Sequence, residues 1–292
     1  MHGSRASPED AWRIAHILTL LLVSILTCAA QTSANQNTAN PDVLVRRVVA
    51  NELRSEQQDH SHWSFRLKTQ KHNGQSEVDE VVETREGDLK RPLLINGRKL
   101  STEEQQKADS RIQQLLHDPA PLQKARQDQD KDAARSQQLL KMLPDAFKFS
   151  YGRRQRDLIE LKFSPNPSFH PQTHEAEVFH AMQGSLWVDN RQERIEEISG
   201  RLIKEVRFGG GLLGHLDEGG VFDVKQAAVA PGYWELTRLR VQMRGKALFF
   251  KTIGVQQDYT RTNFRRVPDD LTVAKAAEIL QKQTLDDATA AR

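Results

Sequence analysis

Apolar residues recur along this chain at two spacings, and the change from one to the other marks out its parts. Leu44, Val48 and Leu53 share one helical face behind Asn40-Pro41, an N-cap followed by proline at the first helical position. The spacing predicts a helix from about Pro41 to Gln58. Trp63, Phe65 and Leu67 then alternate with polar residues, and His72-Asn73-Gly74 supplies a turn before the run Glu77 to Glu86. This reads as a β-hairpin. A second, shorter hairpin is expected where Leu93-Leu94-Ile95 meets Asn96-Gly97, residues that tolerate positive φ.

Ser101 to Leu143 is different. Ser101 and Glu104 have capping-box spacing, Ile112, Leu115 and Leu116 form a narrow stripe, Asp118-Pro119-Ala120-Pro121 breaks the chain, and Leu139, Leu140 and Leu143 end a second helix. Between them Gln127 to Asp132 is wholly polar. Two readings stand side by side: a lid or partner-binding arm, and a solvated helical hairpin inserted into a β fold, with the second favoured.

From Phe147 to Arg266 the period is two. Phe147, Phe149 and Tyr151 alternate, Gly152 to Asp157 turns, and Leu158 to Phe163 returns. After a loop bearing proline and histidine come Ser185 to Val188 with Arg194 to Ile203, then Val221 to Val229 with Tyr233 to Met243, then Ala247 to Ile253 with Tyr259 to Val267. Strands joined by short turns with no helices between them make an antiparallel sheet, strongly curved or partly closed. A last helix, Leu271 to Leu280, and a polar tail over 284–292 complete an α+β chain.

Composition sharpens this picture. Fifteen of the 18 aromatic residues lie from Phe147 onward, so the main core belongs to the second half. Glycine is missing from Arg98 to Tyr151, as suits helix. Of 292 residues, 42 are Lys or Arg and 39 are Asp or Glu, a surplus of three positive charges spread along the chain with no basic arm or stripe. Nucleic acid is therefore not an expected partner. Ala15 to Ala30 is apolar, preceded by Arg5 and Arg13 and closed by small residues, the layout of a signal peptide over 1–30 with a polar linker over 31–40. Export to a periplasm follows, with an uncleaved membrane anchor as the alternative. Cleavage after Ala30 removes Cys28, the only cysteine, and with it any disulfide, thiol nucleophile or cysteine zinc site.

Two motifs carry little chemistry. Gly209-Gly210-Gly211-Leu212-Leu213-Gly214 satisfies GxGxxG, yet a strand follows it where a dinucleotide site needs a helix. His170, His174 and His180 lack the spacing of a metal site, and Glu175 and Glu177 read as solvated. With no GxSxG and no Ser-His-Asp framework, neither enzyme chemistry nor a metal or cofactor is expected.

Gly184-Ser185-Leu186-Trp187-Val188-Asp189, Arg194-Ile195-Glu196, Gly219-Gly220-Val221-Phe222, Pro231-Gly232-Tyr233-Trp234 and Met243-Arg244-Gly245-Lys246 together resemble the periplasmic carriers of outer-membrane lipoproteins. The likeness covers roughly Phe147 to Val267, and the helix and hairpin from Pro41 to Glu86 match the family's opening elements. It implies a half-open β-barrel under a helical cover, a single domain over 41–283 carrying the helical insert 101–143. The implied function is binding or carriage of lipid or lipoprotein acyl chains in the envelope, with peripheral membrane contact and no catalysis. Trp187, Phe222, Trp234, Leu236, Met243 and Phe249 are the candidate cavity residues, broad and adaptable enough for a flexible chain. Gly209, Gly210, Gly211 and Gly214 form the candidate gate. The competing expectation is an envelope scaffold with a filled barrel, whose helical insert docks a protein partner.

Overall fold

The structure is a computed structural model that describes residues 40–71, 74–211, 214–247 and 251–289. The expected signal peptide, nearly all of the linker, and Phe249 lie outside the described residues. Helix α1 (Pro41–Gln58) runs into the compact unit from Val45 onward that holds every strand. Its start is the predicted one, for Asn40 Oδ1 accepts the Asp42 N–H at 2.9 Å.

Strands β1 (His62–Gln70), β2 (Ser76–Val82), β3 (Leu89–Ile95) and β4 (Arg98–Lys99) form an antiparallel meander. Asn96 and Gly97, at φ of 50° and 75°, make the two-residue turn between β3 and β4. Helix α2 (Thr102–His117) opens on the expected capping box: Ser101 Oγ accepts the Glu104 N–H at 3.3 Å, and Glu104 Oε2 accepts the Ser101 N–H at 2.8 Å. Helix α3 (Ala120–Ala146) takes Pro121 in its first turn, where a missing N–H costs nothing, and Pro144 in its last.

The remaining elements are β5 (Phe147–Gln155), β6 (Leu158–Pro165), the short helix α4 (His174–His180), β7 (Met182–Asp189), β8 (Arg194–Leu202), β9 (Val206–Phe208), β10 (Gly214–Leu216), β11 (Val221–Ala230), β12 (Tyr233–Ala247), β13 (Lys251–Val267) and α5 (Val273–Thr289). Their order in the sheet is β4-β3-β2-β1-β13-β12-β11-β8-β7-β6-β5, with β9 and β10 attached along β12. The chain thus enters mid-sheet and walks to one edge. It then crosses through α2 and α3 to the other edge and returns strand by strand until β13 pairs with β1. The sheet does not close, since β4 and β5 do not pair.

Several local expectations are corrected. Gly152 marks a bulge, not a turn: the register shifts between Tyr151 and Arg154, and the hairpin turns at Arg156-Asp157 with Arg156 at φ 53°. Glu160 Oε2 lies 2.6 Å from where a Cβ on Gly152 would sit, and it accepts the Arg153 N–H at 2.9 Å. The bulge therefore makes room for a carboxylate. The histidine-bearing loop contains α4, capped by Thr173, whose Oγ1 accepts the Ala176 N–H. The tail expected from residue 284 is helical as far as Thr289.

The segment 101–143 is more than a solvated insert. Ile112 on α2 and Leu122 on α3 are 1% and 3% exposed and pack with Val82, Leu89, Leu271 and Leu280. Gly87, at φ 138°, lies close under Leu122, so the β2–β3 loop and the start of α3 fit backbone to side chain. Leu143, Pro144 and Ala146 bury the far end of α3, and Phe147, Phe163 and Phe179 pack edge to face just beyond it, with centroids 4.7 and 4.9 Å apart. Between these anchors, residues 123–136 are exposed on every side.

Candidate ligand-binding cleft

A cleft of about 1690 Å³ lies between α3 and one face of the sheet. In-register pairing explains its floor. Leu186, Ile198, Val224, Leu239, Tyr259 and Thr69 follow one another across β7, β8, β11, β12, β13 and β1. Side chains in such a row share one face. Ile198, Val224, Leu236, Leu67 and Tyr259 line the cleft directly. The opposite wall is α3, contributing Arg126, Gln129, Asp130, Ala133, Ser136 and Leu140. Its exposed stretch is held helical by ion pairs one turn apart, Lys124 with Asp128 at 2.9 Å and Arg126 with Asp130 at 3.1 Å.

The C-terminal part of α1 is pinned at one end of the cleft. Glu52 Oε1 accepts from Arg194 Nε at 3.0 Å, from the Ile195 N–H at 2.6 Å and from Gln226 Nε2 at 2.9 Å. The Arg194 guanidinium lies over the Trp234 ring at 5.3 Å, and Trp234 Nε1 donates to Gln192 Oε1 at 3.0 Å. Asn51 completes the docking by donating to the backbone carbonyls of Gln192 and Glu193.

Two further carboxyls in the wall are displaced from ordinary behaviour. Burial pushes Glu83 up to about 8, assisted by Asp88 and Glu235, against the pull of the Trp63 N–H that it accepts at 2.9 Å. Burial also raises Glu235 to about 7, opposed chiefly by Arg261. The Tyr259 hydroxyl is raised by burial too. Arg261 stacks on Phe65 at 4.8 Å, with its buried Nε lacking a hydrogen-bond partner. Acidic side chains outnumber basic ones among the described lining residues. The cleft is amphipathic: its strand floor carries the apolar row together with the charged Arg194, Glu235 and Arg261, and its rim of α1, α3 and the β2–β3 loop is charged and mainly acidic.

The sequence candidates divide. Trp234 and Leu236 stand in the wall. Trp187 does not, for it pairs in register with Glu160 and Glu197, on the face turned away from Leu186 and Ile198, and lies under Arg153 at 5.3 Å. Phe222 is on the cleft face but beyond the cleft, its ring covering Gly200 so closely that a Cβ there would sit 2.6 Å from it. Met243 packs farther on, against Gly220. Phe249 is outside the described residues.

The glycine gate is likewise relocated. Gly209, Gly210 and Gly211 form a tight turn between β9 and β10, with Gly210 at φ 66°, and Gly214 starts a strand that pairs with Ala247 at the other end of β12 from Trp234. None of them lines the cleft. No group of metal-ligating residues occurs among the described residues, and His180 is occupied by the Asn166 carbonyl at 2.8 Å.

Sequence reasoning missed Glu52, Glu83, Glu235 and Arg261. Each is a single polar residue in an otherwise ordinary helix, loop or strand, and only the strand order brings them together. One signal was present: Arg261 stands on the face of Tyr259 and Leu67, where the alternation of its strand calls for an apolar residue. Compared with family models, with curated proteins and with solved structures, the chain finds no match.

Proposed function

We propose that this protein binds an amphiphile, such as an acyl chain or acylated molecule, and that it acts as a non-catalytic carrier or binder in the bacterial cell envelope. The observation that carries the reading is the cleft of about 1690 Å³, with a row of apolar side chains on its strand floor and a charged rim, beneath a helix whose apolar anchors lie at its two ends. On this reading the unclosed sheet is a half-open barrel, and α1 and α3 are its cover. Each methylene leaving water for the floor contributes about 0.8 kcal/mol, and the charged rim meets the polar head. Release needs only a movement of α3. The role calls for export, which is the part the leading apolar segment would supply.

The test is native mass spectrometry with organic extraction of the protein purified from an expressing cell, followed by titration with a fluorescent fatty acid. A lipid that leaves on denaturation, and probe binding weakened by Leu236→Asp but not by Trp187→Asp on the other face, are the expected results. A protein that carries no lipid and takes no probe overturns the reading.

A further inference from the structure

The same pairing that lays the apolar floor sends the alternate side chains of β12 to the other face of the sheet. They are Arg238, Arg240, Gln242, Arg244 and Lys246. Five successive positions on one face thus include four cations, along a span of roughly 27 Å at about 3.4 Å per residue. The sequence, read linearly, hides this stripe, because Leu239, Val241, Met243 and Gly245 separate the charges.

Neighbouring strands extend it. Lys225 stands opposite Arg238, and Arg201 opposite Val221 at the far end of β11. Acids interleave it and are outnumbered by the cations: Glu197 is taken by Lys225 at 2.7 Å, Asp223 lies 4.0 Å from Arg238, and Asp258 stands opposite Arg240 on β13. Among the described residues, Arg201, Arg240, Arg244 and Lys246 are in no ion pair, and Arg201, Arg244 and Lys246 are exposed. The helices lie elsewhere: α3 on the cleft face, α2 and α5 against β2 and β3.

A net charge of only +3 is therefore strongly partitioned, with an acidic cleft on one side of the sheet and a cationic face on the other. We propose that the outer face of β12 and its neighbours docks the protein on the surface of an anionic phospholipid bilayer. Charge complementarity selects this partner. A bilayer offers a plane of single negative charges with no required register, and it rewards cations scattered over several strands. Nucleic acid fits less well, since acids interleave the cations and the one aromatic side chain identified on this face, Trp187, is covered by Arg153. The acidic cleft is repelled by the same surface, so docking fixes orientation and leaves the cleft facing away from the lipid.

The experiment is co-sedimentation of the full chain with vesicles of pure phosphatidylcholine and of phosphatidylcholine with 30% phosphatidylglycerol, at 50 and 500 mM salt. The apolar leading segment contributes equally to both lipids, so the readout is the increment from phosphatidylglycerol. We expect that increment at 50 mM and its loss at 500 mM, where exposed charges are screened. Arg201→Gln, Arg244→Gln and Lys246→Gln combined should reduce it roughly a hundredfold, at about fivefold per charge. The control pair Lys124→Gln and Lys131→Gln on α3 should leave it unchanged. No increment at 50 mM, equal losses in both variants, or stronger retention by duplex DNA than by the vesicles overturns the proposal. None of these results depends on whether the cleft holds a ligand.

Discussion

Glu52 on α1 and Arg194 at the start of β8 meet at 3.0 Å with side chains only 9% and 11% exposed. The same Glu52 oxygen also holds the Ile195 N–H and Gln226, so one helical carboxylate ties α1 to two strands. Removing it leaves a buried guanidinium and a buried N–H without their acceptor. Glu52→Ala is expected to cost about 3–5 kcal/mol in urea unfolding, and Glu52→Gln less, because an amide oxygen still accepts. A loss under about 1 kcal/mol for Glu52→Ala would mean that α1 is held by its apolar face alone.

The cleft carboxyls make stability depend on pH in a defined direction. Glu83 and Glu235 titrate near 8 and 7 in the fold, and Asp79, buried beside Glu77, near 6. The ordinary values are 4.5 for glutamate and 3.8 for aspartate. Above those values the unfolded chain has released its protons while the fold still holds them, so raising the pH favours unfolding. Stability should fall from about pH 5 to pH 8 and then level, by at most about 1.4 kcal/mol per pH unit for each group. Urea midpoints at pH 5, 6, 7 and 8 measure this, and Glu83→Gln with Glu235→Gln should flatten the curve above pH 6. An unchanged slope in that double variant would place the titrating groups elsewhere.

The helical segment between the two sheet edges is expected to be indispensable. Ile112 is 1% exposed in a cluster that joins α2, α3, α5 and the β2–β3 pair. Ile112→Ala should cost about 2–5 kcal/mol, and deletion of Ser101 to Leu143 should abolish cooperative unfolding. A deleted chain that still unfolds in one sharp transition would restore the segment to the status of an appendage.

What the sequence disclosed followed from local physics. Asn40-Pro41, the Ser101–Glu104 box and Asn96-Gly97 act within a turn of themselves, and each appears where expected. The alternation from Phe147 onward foretold the strands for the same reason. Strand order is non-local, and that is where reading failed. Nothing near Trp187 reveals that Glu160 and Glu197 flank it, and nothing near Arg244 reveals that Arg201 shares its face. Trp234 and Leu236 reach the cleft wall through the alternation of their own strand, whereas Glu83 and Glu235 acquire their character only from burial beside other acids.

Gly184 and Gly200 face each other across β7 and β8. A Cβ on Gly184 would lie 1.9 Å from the Ser199 carbonyl oxygen, which backbone alone can relieve. Gly184→Ala should therefore destabilise the protein by about 1–3 kcal/mol, as overpacking does. Thermal unfolding checks it, and a melting temperature equal to that of the parent would show that the two strands separate freely.

The exposed middle of α3 should open more readily than its ends. Leu122 anchors one end and Leu143, Pro144 and Ala146 the other, while residues 123–136 are exposed and rely on ion pairs such as Lys124–Asp128 and on the Gln129–Asp88 hydrogen bond. Exposed pairs of this kind contribute only about 0.3–0.5 kcal/mol each and weaken with salt. Backbone hydrogen bonds in 124–136 should thus open at a free energy far below that of global unfolding. Amide exchange by mass spectrometry is expected to be faster there than in β7 or β8, and faster still at 500 mM salt. Occupation of the cleft should slow it, because Gln129, Ala133 and Ser136 face the ligand space. Protection in 124–136 equal to that of β7 would make α3 a rigid strut and remove it as the element that admits and releases a ligand.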